Sequence, residues 1–419
     1  MRNLLLILNL KEYSMDRLHA LITKLHLYLL IIPIYSRLIL PEGLELSLTT
    51  NFLEYSFFLP EICFFFLPFV APVSMKTLSN NFSLIILTLL GIFFGYLSAV
   101  NGGSNQVINN FLAGTDFYAT LLIFLLFPFR KEQLKFLLIP TVVLVVVIGL
   151  QIVLYSFGIL SYEKELSSND GFSGIFRINT TIGAATGTAV AYFLMSVILY
   201  SLISEKFKKI FILISVIVGS ITLTRSVMIA NAILLLFVFK RDKSIKLYIN
   251  KKFFRFLGIL VLMVGLLFSL NKIGVLDSIN SRMDSLEYGN LDVSSGRFSR
   301  WESSLVFFNQ YPILGSGANF VTMHKRARYA KVDSKNLFSP HNGFILVLME
   351  RGIVGISIFI LIMYLLLKPI KIKKNGVLKI ALLISAGIFM NTELVILFSE
   401  FAGLFFIVRN LTKIKRLNK

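Results

Sequence analysis

Apolar runs of about 15 to 25 residues recur along the whole chain, and they constrain its fold more than any other feature. A helix needs about 20 consecutive apolar residues to cross the hydrocarbon core of a bilayer. Because 56% of the residues are hydrophobic, little sequence is left for a soluble domain. The pattern predicts an all-α polytopic membrane protein, with residues 1–419 forming a single integral membrane domain.

The runs indicate about twelve transmembrane helices. We place them at about residues 20–40, 52–71, 82–100, 110–129, 135–157, 180–203, 209–224, 226–239, 253–270, 343–367, 377–391 and 393–409. One long polar segment, Asn271–His341, separates the ninth and tenth of these spans. We expect this segment to form a partly helical loop that acts as a lid over a site.

The lysine and arginine residues give the orientation of the spans, because they are retained on the cytoplasmic side of short loops. With the amino terminus inside, most of the 42 basic residues fall in cytoplasmic segments. Both termini are then cytoplasmic, and Asn271–His341 is extracytoplasmic. The formal net charge of +20 is explained by clusters that flank the spans and face anionic lipid, and we expect no nucleic-acid partner.

An arginine interrupts a long apolar stretch before the polar segment. As one helix, Ile210–Phe239 would reach roughly 45 Å, which is too long for a single span. Thr222–Ser226 breaks the stretch in its middle, so we predict two short helices that meet at the outer side with Arg225 at their junction. The guanidinium either snorkels to the outer headgroups or is held at the membrane face for an anionic group.

A helix is predicted inside the polar segment, from near Arg297 after a serine cap to just before Tyr311–Pro312. Its apolar residues recur on one side: Phe298, Trp301, Leu305 and Phe308. That side either packs on the membrane domain or, at Trp301, contributes to a substrate site. Arg297 and Arg300 lie one turn apart, which suits either a clamp for phosphate oxygens or a solvated face.

The end of the polar segment carries a turn, a histidine and then an intramembrane charge pair. Gly315 and Gly317 predict a flexible turn. His341 lies at the outer mouth of the next span, where an imidazole either takes a proton near neutral pH or caps the helix. Glu350–Arg351 fall roughly nine residues deeper, so we expect both charges to face protein or water instead of lipid.

Several motifs occur in a fixed order in this half of the chain: TLTRS, GRFSRW, YPILGSGANF and SPHNGFILVLMERGIVG, preceded by FRINTTIGAATGTAVAYFL. Together they resemble the core of the bacterial O-antigen ligase and O-antigen polymerase superfamily. The resemblance extends over about residues 170–365, and the twelve spans with one long outer loop match the architecture of that superfamily. One departure is Arg177–Thr180, where the superfamily often has a turn similar to glycine-asparagine-proline.

The resemblance implies a membrane-embedded glycosyltransferase of the bacterial cytoplasmic (inner) membrane, with an extracytoplasmic site for a glycan on undecaprenyl pyrophosphate. Arg225 and Arg297 match the superfamily's functional arginines and would neutralise the departing diphosphate, and His341 would orient or deprotonate the acceptor. The substrate-binding candidates are Arg300, Trp301, Arg177 and Asn342. The outer loops contain no aspartate-any-aspartate element, so we expect a metal-independent reaction without a cofactor. The role of His341 favours inversion at the anomeric carbon.

The acceptor distinguishes two activities in this superfamily. A polymerase joins repeat units to one another, and a ligase moves the finished glycan onto lipid A-core; we favour the polymerase. The expected partners are the lipid-linked glycan, its glycan or lipid A-core acceptor, the bilayer and a chain-length regulator. Interpretations from other classes are a polysaccharide flippase or transporter and a structural partner of the glycan machinery.

Overall fold

The computed structural model of the protein is predominantly helical. It describes residues 2–39, 45–49, 54–71, 73–102, 107, 111, 115–156, 185–221, 224–241, 301, 304–305, 308–317, 342–368, 372–389 and 399–417. The predicted span at 253–270 lies outside the described residues. So do four predicted site residues: Arg177, Arg297, Arg300 and His341.

The helices follow the order of the predicted spans. The first part of the chain contains α1 (Arg2–Ile39), β1 (Glu45–Thr49), β2 (Glu54–Phe58), a 3-10 helix (Leu59–Phe66), α2 (Leu67–Val70), α3 (Met75–Asn101), α4 (Asp116–Leu126) and α5 (Leu134–Ser156). The second part contains α6 (Ala185–Leu202), α7 (Glu205–Ile221), α8 (Arg225–Arg241), α9 (Gly343–Leu367), α10 (Ile372–Ile384) and α11 (Ser399–Leu417). A π-helical turn, Ser385–Phe389, continues α10.

Ten apolar helical stretches are present among the described residues, and they fall into two length classes. Four are long and apolar enough to cross a membrane: Leu18–Ser36, Met75–Asn101, Lys131–Leu154 and Gly343–Leu367. The shorter ones are Phe117–Leu126, Gly187–Leu202, Ile210–Ile221, Ser226–Leu235, Gly376–Ile388 and Ala402–Thr412. The helical membrane class is confirmed, whereas the number of twelve spans stays a prediction.

The predicted span at 52–71 is wrong, because this part of the chain folds as β2, the 3-10 helix and the short α2. β1 and β2 pair in an antiparallel hairpin, with Ser47 opposite Ser56. Pro60 and Pro68 lie in the first turn of the 3-10 helix and of α2, where a missing backbone N–H is tolerated, so they suit the start of two short helices, and apolar composition alone does not produce a span here. Because the hairpin is β structure, the described residues depart from the all-α prediction at this point.

The predicted break before Arg225 is confirmed, and one other span is shorter than expected. α7 ends at Ile221 and α8 begins at Arg225, and the two helices pack against each other. The span predicted at 110–129 is reduced to Asp116–Leu126. Its helix stops at Phe127 because the following proline disfavours helical backbone at that residue.

Two buried helices, α6 and α11, lie at the centre of the bundle. Residues 188–199 of α6 and 402–412 of α11 are all buried, and the two helices pack against each other. The ring of Phe117 in α4 lies next to those of Phe359 in α9 and Phe406 in α11, with centroids 5.2 and 5.6 Å away. This aromatic cluster joins α9 to the centre of the protein.

Helix α3 turns small residues inward and large apolar residues outward. Its buried face includes Thr88, Gly91, Gly95, Ser98 and Ala99. Its exposed face includes Phe82, Ile86, Leu89, Phe93 and Tyr96. Small residues at this spacing let two membrane helices approach closely, and α9 packs against this face.

Candidate functional site

Helix α9 is broken at Gly352, whose φ of 63° and ψ of −167° are not helical. In an unbroken α-helix, the N–H of each residue donates to the carbonyl four residues earlier. The break therefore removes the helical partners of two carbonyls, Met349 and Glu350, and of two N–H groups, Ile353 and Val354. In a bilayer, such groups are costly unless another part of the protein bonds them.

Residues 311–317, which we call the insert, supply these partners. The N–H groups of Ser316 and Gly317 donate to the two freed carbonyls of α9, at 3.0 and 2.9 Å. The two freed N–H groups of α9 donate to the carbonyls of Pro312 and Ile313, at 2.9 and 3.3 Å. Because the exchange satisfies all four groups, irregular backbone is tolerated in the middle of an apolar helix.

Two glycines allow the insert to fit into the break. Gly315 has a φ of 77° and Gly352 a φ of 63°, in a region that L side chains rarely adopt. A Cβ on Gly315 would overlap the backbone of Glu350 and Arg351. A Cβ on Gly352 would overlap the carbonyl of Ile313. A side chain at either position therefore forces the insert and α9 apart.

The carboxyl end of α3 holds the insert from a third side. The hydroxyl of Ser98 donates to the Glu350 carbonyl and accepts from the Gly317 N–H, the latter at 3.1 Å. Asn101 donates from Nδ2 to the carbonyl of Gly315, at 3.0 Å. α3, the insert and α9 thus form one hydrogen-bonded junction.

Arg351 lies buried beside this junction and is only 4% exposed, so it faces protein as predicted. Its Nη1 donates to the Gly91 carbonyl of α3 at 2.7 Å, and its guanidinium carbon lies 4.5 Å from the ring centroid of Tyr118 in α4. Gly95 leaves the necessary space, because a Cβ there would lie 2.7 Å from Nη1. The arginine therefore ties α9 to both α3 and α4, through a hydrogen bond and a cation–π contact.

Asn342, predicted to bind substrate, is the N-cap of α9. Its buried side-chain oxygen accepts from the N–H groups of Phe344 and Ile345, at 3.0 and 3.1 Å. These bonds satisfy two of the N–H groups that a helix start leaves without partners. They also fix the course of the chain directly after His341.

The predicted helix before the insert is confirmed where the structure describes it. The described residues between 301 and 310 are helical, and the helix ends before Tyr311–Pro312. Trp301 and Phe308 are half-buried, in agreement with the predicted packing side. Leu305, in contrast, is 41% exposed and Ser304 is buried. At this position the buried face of the helix therefore includes Ser304 instead of the predicted Leu305.

Arg225 is the first residue of α8, as the predicted junction requires. α8 packs against α7 and α10, and α9 packs against α3 and α10. The meeting of Arg225 with Arg297 and His341 stays a prediction, because the last two lie outside the described residues.

The sequence did not predict the contribution of α3, because hydropathy indicates only that this segment is apolar enough to span a membrane. The available signal was the small-residue spacing of Gly91, Gly95 and Ser98 on one face. This pattern predicts a close helix partner but does not identify it. The polar contacts of Ser98 and Asn101 required the structure.

Residues 210–360 match the family model described as O-antigen ligase. This match supports membership of the O-antigen ligase and polymerase superfamily. No curated protein matches the chain. The matched segment is just over a third of the chain and contains Arg225, Arg297, His341, the insert and the break in α9, whereas α3 lies outside it. Membership implies a bacterial membrane protein with a glycosyltransferase-like activity.

Proposed function

We propose that this superfamily member polymerises lipid-linked oligosaccharide repeat units at the outer face of the cytoplasmic membrane. The observation that most supports transfer of a lipid-linked glycan is that one family match contains Arg225, Arg297 and His341 together; this match is common to polymerase and ligase. Both termini are cytoplasmic in this proposal, and residues 271–341 form a lid over an extracytoplasmic site. The backbone exchange between the insert and α9 gives the lid a fixed attachment near its end.

The chemistry requires few groups, because the glycan is already activated by its pyrophosphate. An acceptor hydroxyl attacks the anomeric carbon, the new glycosidic bond forms, and the bond to the pyrophosphate oxygen breaks. The departing undecaprenyl pyrophosphate takes the electron pair, and Arg225 and Arg297 stabilise its increasing negative charge. His341 orients the acceptor and accepts its proton. Because the acceptor attacks in a single displacement from the face opposite the pyrophosphate, the anomeric configuration inverts. No step needs a metal or a cofactor.

Other side chains position the substrate. Arg300 follows Arg297 by three residues, so on the predicted helix it would bind a second oxygen of the same pyrophosphate. Trp301 offers a planar apolar surface for a sugar ring, and Arg177 contacts the anionic group from the preceding outer loop. Asn342 acts at least through the capping bonds that fix the chain next to His341.

Deleting the gene distinguishes the polymerase from the alternative, an O-antigen ligase. For a polymerase, we expect the loss of long chains while a single repeat is still attached to the lipid A-core. Bare core together with accumulated lipid-linked polymer identifies a ligase instead. Electrophoresis of the surface glycan and analysis of the lipid-linked pool separate the two results.

Replacing Asn342 tests whether its role is structural. We expect Asn342→Ala to lower the free energy of unfolding by about 1 kcal/mol, the usual cost of losing an N-cap side chain. Asn342→Asp keeps an accepting oxygen and should unfold like the wild type in detergent. If the aspartate variant is as stable as the wild type yet transfers no sugar, the Asn342 amide itself contacts substrate.

A flippase or other transporter is the alternative from another class, and the broken α9 is the observation in its favour. Transporters often expose unwound helix backbone to bind ions or substrates. Here the groups freed by the break are bonded to the insert, which favours a structural use of the break. Purified protein in vesicles decides between them: sugar transfer without translocation of the lipid-linked glycan supports the enzyme, and translocation without transfer supports the transporter.

A further inference from the structure

The junction contains two side chains from a part of the chain that the family match does not include. Ser98, which is 1% exposed, bonds one group of the insert and one group of α9 at the same time. Asn101, one helical turn later, bonds the insert through the Gly315 carbonyl. The matched segment is therefore held by a helix that precedes it by more than a hundred residues.

We propose that Ser98 and Asn101 are positioning residues for sugar transfer, which lock the insert into the break of α9. This inference rests on the proposed function. The described residues between 301 and 310 are helical and lead directly into the insert, and α9 begins two residues after His341. Fixing the insert against α9 therefore fixes the distance between the chain that follows Arg297 and the chain that follows His341.

The hydroxyl of Ser98 has a role that the backbone exchange lacks. The exchange joins the insert to α9 through only two bonds in each direction, and both partners can still move together or apart by small amounts. Ser98 bonds one group on each side, the Glu350 carbonyl and the Gly317 N–H, so it ties both of them to α3. A displacement of roughly 1 Å on losing this tie can lower a reaction rate about 100-fold.

The test compares Ser98→Thr with Ser98→Val, which have the same shape but differ in the hydroxyl. We expect the valine variant to lower kcat for sugar transfer about 10-fold or more, with the KM for the undecaprenyl-pyrophosphate-linked glycan within about twofold of the wild-type value. The threonine variant should restore most of the kcat. Thr88→Val is the matched control, because it removes a buried hydroxyl from α3 that bonds only within its own helix, to the Leu84 carbonyl at 2.6 Å. Its kcat should equal that of the wild type.

A second variant keeps the inference testable if neither threonine nor valine fits at position 98. Asn101 is exposed, so Asn101→Ala creates no overlap and removes only the bond to the insert. We expect a fall in kcat about as large as that of Ser98→Val. Trypsin provides a reading independent of activity, since Lys325 and Arg326 follow the insert in sequence. Cleavage at Lys325 and Arg326 should be several-fold faster in Ser98→Val and in Asn101→Ala than in the wild type.

Three results would overturn the inference. The first is wild-type kcat in Ser98→Val, and the second is wild-type kcat in Asn101→Ala. The third is an equal loss of kcat in Ser98→Thr and Ser98→Val together with wild-type trypsin cleavage in Asn101→Ala. If wild-type protein transfers no sugar from any lipid-linked glycan, the proposed function itself fails. This failure is seen in the wild type alone, whereas failure of the inference is seen only when variants are compared with an active wild type.

Discussion

Arg297→Ala should lower the rate of sugar transfer by about 100-fold or more while the protein still folds and inserts. The guanidinium is proposed to stabilise charge that appears on the pyrophosphate only as the glycosidic bond breaks. An interaction that strengthens in the transition state contributes to kcat more than to substrate binding. Single-turnover transfer from a radiolabelled lipid-linked glycan to an acceptor, with purified protein in detergent, measures this step directly.

The same reasoning sets the controls for Arg297. Arg297→Lys keeps the charge but loses the planar fork, so we expect it to recover only part of the lost rate. Arg282→Ala removes an arginine from the same polar segment outside the motifs and should transfer sugar at the wild-type rate. Equal transfer by wild type and Arg297→Ala would contradict the catalytic role and favour the transporter or the structural partner.

Variants of His341 and Arg225 complete this test, because the proposal assigns His341 to the acceptor and Arg225 to the leaving group. His341→Ala should also slow transfer about 100-fold or more, as expected for loss of a general base. Arg225→Ala should resemble Arg297→Ala, since both side chains are assigned to the same leaving group. Combining the two arginine replacements should then cost less than the sum of the separate losses in activation free energy, as for residues that act as a unit.

Local sequence patterns predicted the helix boundaries that depend on local chemistry. α9 spans Gly343–Leu367, where the sequence predicted 343–367, because Asn342 caps its start and the residues up to Leu367 are mostly apolar, with charges only at Glu350 and Arg351, although the helix is broken at Gly352. The start of α8 at Arg225 and the end of the 301–310 helix before Pro312 are also confirmed. In these cases the deciding residues lie within a few positions of the boundary.

The junction could not be predicted in the same way, because its partners are far apart in sequence. Ser98 bonds groups more than 200 residues away, and no periodicity of α3 points to the insert. The GSG turn was interpreted as flexible, but its glycines permit close contact with the backbone of α9. The span at 52–71 failed for the opposite reason: hydropathy counted its phenylalanines and ignored the prolines among them.

The catalytic constellation depends on both kinds of information. The family match includes Arg225, Arg297 and His341 in one matched segment, and the apolar helices place that segment in a membrane protein. Neither the family match nor the membrane class shows that the three side chains lie close together. In the structure, residues 311–317 of the proposed lid are held by backbone bonds to α9, so the proposed function makes the stability of that attachment a condition for activity.

Gly352→Ala tests that attachment, and the sign of its effect is diagnostic. In a continuous helix, replacing an interior glycine with alanine stabilises by about 1 kcal/mol. At the observed φ and ψ, which lie in a region open almost only to glycine, an alanine costs about 1 to 3 kcal/mol in backbone strain. The added Cβ also overlaps the Ile313 carbonyl, so bonds of the exchange must break as well. We therefore expect a clear loss of stability, with a lower melting temperature and yield in detergent.

Gly387→Ala is the matched control for this prediction, because a Cβ there meets no atom of the described residues within 4 Å and its φ is not in the left-handed region. It should melt at or above the temperature of the wild type. Gly315→Ala should behave like Gly352→Ala, since its Cβ overlaps the same junction from the side of the insert. A Gly352→Ala protein that melts above the wild type would mean that α9 is continuous, and the insert would then have no backbone groups to bind there. Faster sugar transfer in that variant would further remove the attachment as a condition for activity.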